Sequence, residues 1–407
     1  MEERGMTSAL SDYEVAIVGG GPSGLTAAIL IAEAGFKTAL IAPIAPPDRR
    51  TTAVLGGSVT LLDRLGITEA VAGVGASMHT MRLIDDTGRL IRAPEVNFRA
   101  QEIGREIFGY NIHNADLTRI LTERADRCAS LTRIDAFVEG ATPGDDTIRL
   151  ALSTGEEVTA KLGVAADGAK SRLREAAGIS VKTWSYPQSA LVFDVAHARP
   201  HGGVSVEFHG PAGPFVFVPL PGNTSSIVLV ETPETVEALA ALDDIALGLE
   251  VERRSHSILG KITVKTPRQA FPLNGATARV FGRARVALVG EAGHRFPPIG
   301  AQGLNLSFRD VGTLVERLID AKRQRQDLGS EGVLAGYDRA RRIDVTTRTI
   351  GVDIMDRALL ADNLPTQALR SVGLMLAGTV PPLRQFMMRE GLAPTIGTPR
   401  LMRTSGR

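Results

Sequence analysis

An α/β architecture, in which a parallel-sheet nucleotide domain is interrupted by an antiparallel sheet and followed by helices, is predicted by three features of the chain. A glycine-rich turn, Gly19-Gly20-Gly21-Pro22-Ser23-Gly24, joins a short apolar run to an Ala/Ile/Leu-rich helical pattern. Far along the chain, Arg285 to Val311 (RVALVGEAGHRFPPIGAQGLNLSFRDV) repeats the order of strand, glycine-rich loop and helix. Between the two lie short β-rich segments bounded by turns. Two turns that aim helix N-termini beyond strand ends suggest one extended ligand held by both.

The first turn follows Glu14 to Val18 (EVAIV), a run of buried-strand type. Gly19, Gly21 and Gly24 stand in GxGxxG spacing, Leu25 to Ala34 reads as the helix, and Lys37 to Ala42 as the next strand. Glycine keeps such a turn tight, lets backbone approach a pyrophosphate and lets helix pack on strand. The helix N-terminus adds N–H donors and partial positive charge. This is a Rossmann-like β-α-β unit. The acidic residue expected at the second strand's end to bind ribose would fall near Ala42, which lacks the group. Asp48, Arg49 and Arg50 follow closely, and the arginines leave a 2′-phosphate open on this motif alone.

Lys161 to Arg174 (KLGVAADGAKSRLR) reads as a strand, then Asp167-Gly168, then a basic approach to a helix. Alone, Asp-Gly after a strand marks only a turn. Pro187 to Leu273 holds ALVFDVAHA, GVSVEFH, PFVFVPLP and SSIVLVET, the turn-bounded pattern of an antiparallel sheet. One face of that sheet is expected to cover the ligand's reactive end, with a substrate between. In the last segment Leu304, Phe308, Val311, Val315 and Leu318 recur at helical spacing, so this helix is expected to anchor along one stripe. Val333 to Leu360 continues as a long helical pattern with Leu334, Tyr337, Ile343, Ile350 and Ile354 on its stripe. Pro365 to Leu392 is rich in Leu, Met and Val, broken by Pro381-Pro382 and flanked by Arg370, Arg384 and Arg389. Two readings stand for these helices: packing on the nucleotide domain, or docking on a membrane or on other enzymes.

Composition limits the function classes. The 407 residues suit two domains, with 43% apolar and 22% charged residues. A net charge of +1 calls for no nucleic acid. Cys128 is the only cysteine, which excludes an internal disulfide and a redox-active pair. No secretory or mitochondrial leader is read in the acidic N-terminus, and no apolar run reaches the ~18 residues that span a bilayer. A cytoplasmic protein is expected, with peripheral contact at the inner membrane left open. No metal site is assigned.

With GGGPSG, the Asp-Gly turn and VGEAGH in this order, the chain resembles flavoprotein aromatic monooxygenases of the para-hydroxybenzoate hydroxylase type. Within them it is most similar to the ubiquinone-biosynthesis hydroxylases. RTTAV (Arg50 to Val54), GSVTLLDRLGI, PHGGVSVEF, FPL and HRFPPIGAQGLNLSFRDV carry that similarity, from about Tyr13 to Arg348. The resemblance implies a discontinuous FAD-binding domain (13–75, 101–186 and 274–330), a substrate domain (187–273, with 76–100 as its first part) and C-terminal helices (331–407). It implies that Gly19, Gly21 and Gly24 hold the FAD pyrophosphate with Arg50 beside it. Asn114 takes the place of a polar side chain on the flavin dinucleotide, with Arg119 further along the helix. Asp167 takes the place of the family's Asp at the pyrophosphate region, and Glu291 that of an aspartate on the ribityl chain. Pro298, Gly300, Gln302, Gly303 and Asn305 complete the cofactor contacts. The family commonly reads Ala-Gly-Gln-Gly where this chain has Gly300-Ala301-Gln302-Gly303.

A second GxGxxG is absent, so NADH or NADPH is expected as a transient reductant. The implied reaction hydroxylates the aromatic ring of a polyprenylated phenol of the ubiquinone pathway, with dioxygen, through a flavin hydroperoxide. A hydroxylase of a soluble phenol, a flavin-dependent isoprenoid reductase and a non-catalytic flavoprotein scaffold remain alternatives. His113, His201, His209, His256 and His294 are each chemically able to move a proton, and no catalytic base is assigned. Trp184, the single tryptophan, reads as core packing.

Overall fold

The computed structural model describes residues 9–44, 46–88, 92, 94–297, 302–360, 380–392 and 397–403. Its nucleotide side is a parallel sheet assembled from distant parts of the chain. Val286–Leu288, Glu157–Ala165, Ala9–Val18, Thr38–Ile41 and Leu131–Ile134 lie side by side in that order, every pairing parallel. Parallel strands need crossovers, and the helices that make them cover the faces. One face is buried under the helices Pro22–Glu33, Asn114–Ala125 and Gln302–Arg323 through residues such as Ile29, Leu121 and Phe308. The other is buried by the hairpin Val138–Pro143/Ile148–Leu152 and by Leu173 and Ile179. This explains the unbroken apolar run of the first strand, where Val15, Ala16 and Ile17 are fully buried.

The helix Gln302–Arg323 buries Phe308, Val311, Val315 and Leu318 and partly buries Leu304, the stripe expected from their spacing. Glu331–Leu360 is a single helix. Its Leu334 and Tyr337 are buried, and the Tyr337 hydroxyl donates to the Leu288 carbonyl at 2.7 Å. Ile343 departs from the expected stripe and is exposed, because the same turn gives its inward positions to Arg341 and Asp344. The side chains of Ile350 and Ile354 lie outside the described residues, as does 361–379, including Arg370. Pro381–Leu392 is a helix.

Among the described residues the second sheet has nine strands. It is built on the long strand Val181–His197, which pairs antiparallel with Thr224–Glu231 and Gln269–Ala278. Pro214–Leu220 and Val204–His209 continue it by hairpins. Thr80–Asp85 then joins in parallel, with Val96–Arg99 at the edge. That parallel junction was not legible as part of an antiparallel pattern, since its strands are far apart in sequence. The long strand starts at Val181, ahead of the expected Pro187, and its partner runs on to Ala278, beyond Leu273. Trp184 is half-buried rather than core: it stacks over Gly275, where a Cβ would stand 2.2 Å from the indole, and donates from Nε1 to the Tyr186 hydroxyl at 2.8 Å.

The two faces of this sheet differ. Leu191, Phe193 and Val195 point into a core closed by Val236, Leu239, Leu247 and Val251 of two covering helices. Ala190, Val192 and Asp194 alternate to the opposite face, registered against Val230, Val228 and Ser226. That face meets a small sheet of Thr51–Leu55, Gly109–His113 and Ala76–Met78. Thr51 Oγ1 reaches Ser226 Oγ at 3.0 Å, and Asn111 Nδ2 donates to the Pro219 carbonyl at 3.0 Å. The small sheet therefore joins the nucleotide side to the open face of the large one.

Candidate active site

The three turns singled out in the sequence converge beyond the carboxyl ends of adjacent parallel strands, the place where open α/β sheets bind ligands. Gly19 has φ +120°, and a Cβ there would stand 2.1 Å from the Ala166 carbonyl oxygen, so the Asp167 turn crosses directly over the first glycine. A Cβ on Gly24 would stand 1.9 Å from the Gly19 carbonyl oxygen. Gly290, at φ +64°, brings the third turn in: its Cβ position is 3.5 Å from Ser23 Oγ and 3.1 Å from Ser307 Oγ. Gly21 is different. It precedes the helix Pro22–Glu33, and a Cβ there would meet nothing within 4 Å. Gly19 and Gly24 thus serve close packing, and Gly21 faces open space at a helix N-terminus.

Beside this crossing lies a polar cluster. Arg50 forks onto Asp48, Nε to Oδ1 at 3.0 Å and Nη2 to Oδ2 at 2.8 Å. Asn114 Nδ2 donates to Asp48 Oδ2 at 2.8 Å and its Oδ1 accepts from Thr52 Oγ1 at 2.6 Å. The Asp48 carboxyl lies below its ordinary value: burial opposes this, and the hydrogen bonds of Arg50 and Asn114 outweigh it. Arg50 is raised by its hydrogen bonds to Asp48 and, more weakly, by the charge of Glu291. The residues after the second strand and at the third turn are therefore within electrostatic reach of one another. Asp48, in the loop after the second strand, organises both Arg50 and Asn114.

The remaining expected positions divide. Glu291 is exposed beside the third turn. Asp167 Oδ2 accepts from the Arg172 N–H at 2.8 Å, while its buried Oδ1 has no partner among the described residues. Burial pushes this carboxyl up, against the hydrogen bonds of Ser171 and of nearby backbone. Asn305 replaces a strand neighbour: Oδ1 accepts from the Leu55 N–H at 2.9 Å and Nδ2 donates to the Ala53 carbonyl at 2.7 Å. It ties the start of the helix Gln302–Arg323 to the strand that follows Arg50. Gly303 has open space at its Cβ position. Pro298 and Gly300 lie outside the described residues, and Gln302 is described only as the first residue of its helix. Arg119 is not brought to the cluster; it is exposed and paired with Glu123 at 2.9 Å and Asp116 at 3.3 Å.

Sequence reasoning missed the support beneath the third turn. Asp310 is fully buried and accepts from the Gly290 N–H at 2.9 Å, His294 Nε2 at 2.7 Å and Arg341 Nε at 2.7 Å. Arg341 Nη1 continues to Asp344 at 2.7 Å, which also receives the fork of Arg309 at 2.8 Å. The only signal was charge within apolar helical stripes, which normally marks a solvated face.

The FAD binding domain family matches residues 12–349. The chain belongs to that family. An open helix N-terminus at Gly21, an orphaned acceptor at Asp167 and the Asp48–Arg50–Asn114 cluster fit such a dinucleotide. Gly21 and the helix Pro22–Glu33 would hold its pyrophosphate, and Glu291 its polyol chain. The bound flavin supplies the redox chemistry of an FAD-dependent monooxygenase, with NAD(P)H as reductant. The ubiquinone hydroxylase UbiL of Rhodospirillum rubrum is 34% identical over 96% of this chain and 92% of its own length. The 3-demethoxyubiquinol 3-hydroxylase of Escherichia coli is 30% identical over 93% and 98%. PqsL, a probable FAD-dependent monooxygenase of Pseudomonas aeruginosa, shares the fold with a TM-score of 0.75 at 22% identity, over 90% of this chain and 100% of its own.

Proposed function

We propose that this FAD-dependent monooxygenase hydroxylates the aromatic ring of a polyprenylated phenol in ubiquinone biosynthesis, using NAD(P)H and dioxygen. The open face of the large sheet carries this reading. It presents the partly exposed Val192, Val216, Val218 and Val228, with buried Ala190 and Val230 at one end and the buried acid Asp194 at the other. From Gln188 to His197, and throughout Val204–His209, Pro214–Leu220 and Thr224–Glu231, there is no lysine or arginine. A carboxylated soluble phenol brought against this wall would lose its hydration without gaining a cation. An uncharged ring with a hydrocarbon chain loses nothing polar and gains apolar contact. The names of the relatives from Rhodospirillum rubrum and Escherichia coli support the pathway.

The helix Pro381–Leu392 supplies the surface by which we read the protein as reaching a bilayer. Arg384 holds it to Glu102 and Met388 is buried with Ile103 and Phe108, while Leu383, Phe386 and Met387 stay exposed. Among the described residues no helix is long and apolar enough to cross a membrane. We also keep the division into a discontinuous FAD domain and an inserted substrate domain as part of this reading.

The test is product mass after incubating the FAD-loaded protein with NADH or NADPH, air and either a prenylated phenol or a hydroxybenzoate. Gain of one oxygen on the prenylated phenol alone is expected. Gain on the hydroxybenzoate instead would favour the soluble substrate. Gain of two hydrogens would establish a reductase, and no turnover with any phenol would favour a scaffold.

A further inference from the structure

A second polar cluster lies where the small sheet meets the open face of the large one. His113 ends the strand Gly109–His113, immediately before Asn114, and is the cross-strand neighbour of Thr51. Its Nε2 is 3.7 Å from Asp194 Oδ2. Asp194 is fixed from behind: its N–H donates to Thr266 Oγ1 at 2.8 Å, and its carbonyl accepts from the Lys265 N–H at 2.8 Å. Ser226, fully buried, hydrogen-bonds the Asp194 carboxylate and is itself reached by Thr51 Oγ1 at 3.0 Å. His113 Nδ1 makes no hydrogen bond among the described residues, and the His113 side chain keeps 34% of its surface exposed.

We propose that the His113–Asp194 dyad accepts the proton of the ring hydroxyl of the bound substrate. This rests on the reading that the substrate is a prenylated phenol held against the aliphatic face. Asp194 is on the same sheet face as Val192 and Val228, so the polar end of that wall is where the hydroxyl of an otherwise apolar ring finds a partner. In the step, the O–H bond of the hydroxyl breaks, its electron pair stays on oxygen, and the proton joins His113 Nδ1. Asp194, facing Nε2, holds the tautomer with its proton on Nε2 and then bears the imidazolium charge. The charge left on oxygen enriches the ring carbons, and the oxygen atom that one of them receives comes from dioxygen. NAD(P)H provides the two electrons, and the second oxygen atom leaves as water. A separation of 3.7 Å is longer than a hydrogen bond, as apo geometry often is before a substrate closes the site.

Burial pushes the Asp194 carboxyl up, opposed by His113 and by the Ser226 hydroxyl. His113 is the titratable group that acts on it. Lys265 enters only by its backbone and Thr266 by its hydroxyl oxygen, while Asp48 and Arg50 on the adjoining loop neutralise one another.

The experiment binds a prenylated nitrophenol, whose anion absorbs visible light, to the FAD-loaded protein and titrates it from acid to alkaline pH. In the wild type the bound phenol should ionise about one pH unit or more below its midpoint in His113→Gln, the scale of an opposite charge within a few ångströms. Asp194→Asn should give an intermediate midpoint. Flavin occupancy and circular dichroism establish that each variant is folded. Equal midpoints in wild type and His113→Gln overturn the dyad and leave the functional reading intact. A wild type that binds no prenylated phenol overturns the functional reading, and the dyad with it.

Discussion

Asp310 and His294 meet at 2.7 Å in a place where both side chains are essentially free of solvent. The contact joins the turn that carries Glu291 to the helix that begins at Gln302, and the same carboxylate draws in Arg341 from the following helix. A charge so deeply buried is tolerated because each carboxylate oxygen is met by a donor.

Asp310→Asn should therefore cost about 3–5 kcal/mol, the range for breaking a buried pair and leaving its partner uncompensated. Although burial alone would raise it, the Asp310 carboxyl is held below its ordinary value by the charges of His294 and Arg341 and the N–H of Gly290. A depressed folded value means that its stabilisation is complete above the unfolded carboxyl's range near pH ~4. It is then lost as pH falls through the lower folded value. Urea unfolding at several pH values should show a lower plateau and a flatter acid limb in the variant. A cost under about 1 kcal/mol would mean that the network does not support the turn.

The glycines of the first turn should separate by phenotype. Gly24→Ala forces a Cβ to within 1.9 Å of a backbone oxygen and should destabilise the apoprotein by about 1–3 kcal/mol or more. A Cβ at Gly21 meets nothing within 4 Å, so Gly21→Val should leave the apoprotein folded while stripping the flavin. Full FAD occupancy in a folded Gly21→Val protein would move the pyrophosphate away from this turn.

Glu291→Ala should weaken FAD binding by roughly 1–3 kcal/mol, the loss of a hydrogen bond to a charged group. Glu291→Asp keeps the acceptor and should be mild. Flavin fluorescence titration compares the two, and a large loss in the aspartate variant would give Glu291 a task that depends on its extra methylene.

Val228→Arg places a cation in the middle of the aliphatic wall, between Val192 and Val216. It should raise the KM for a prenylated phenol and bring detectable hydroxybenzoate binding. Unchanged KM values in the folded, flavin-loaded variant would show that this face does not meet the substrate.

The sequence by itself determined what depends on local spacing. GxGxxG between EVAIV and an Ala/Ile/Leu run dictates a strand-turn-helix unit, because only glycine allows φ +120° at Gly19 and the near-contact at Gly24. The stripe from Leu304 to Leu318 likewise fixed one face of its helix. Tertiary structure alone decided the rest. It made Asn305 a substitute strand partner for Ala53 and Leu55. It left Arg119 on the surface with Glu123, and it drew Asp310, Arg341 and Asp344 inward as a buried charge network. It also set His113 across from Asp194. A side chain's neighbours far along the chain decide whether its charge is solvated, paired or aimed at a ligand, and periodicity carries no information about those neighbours.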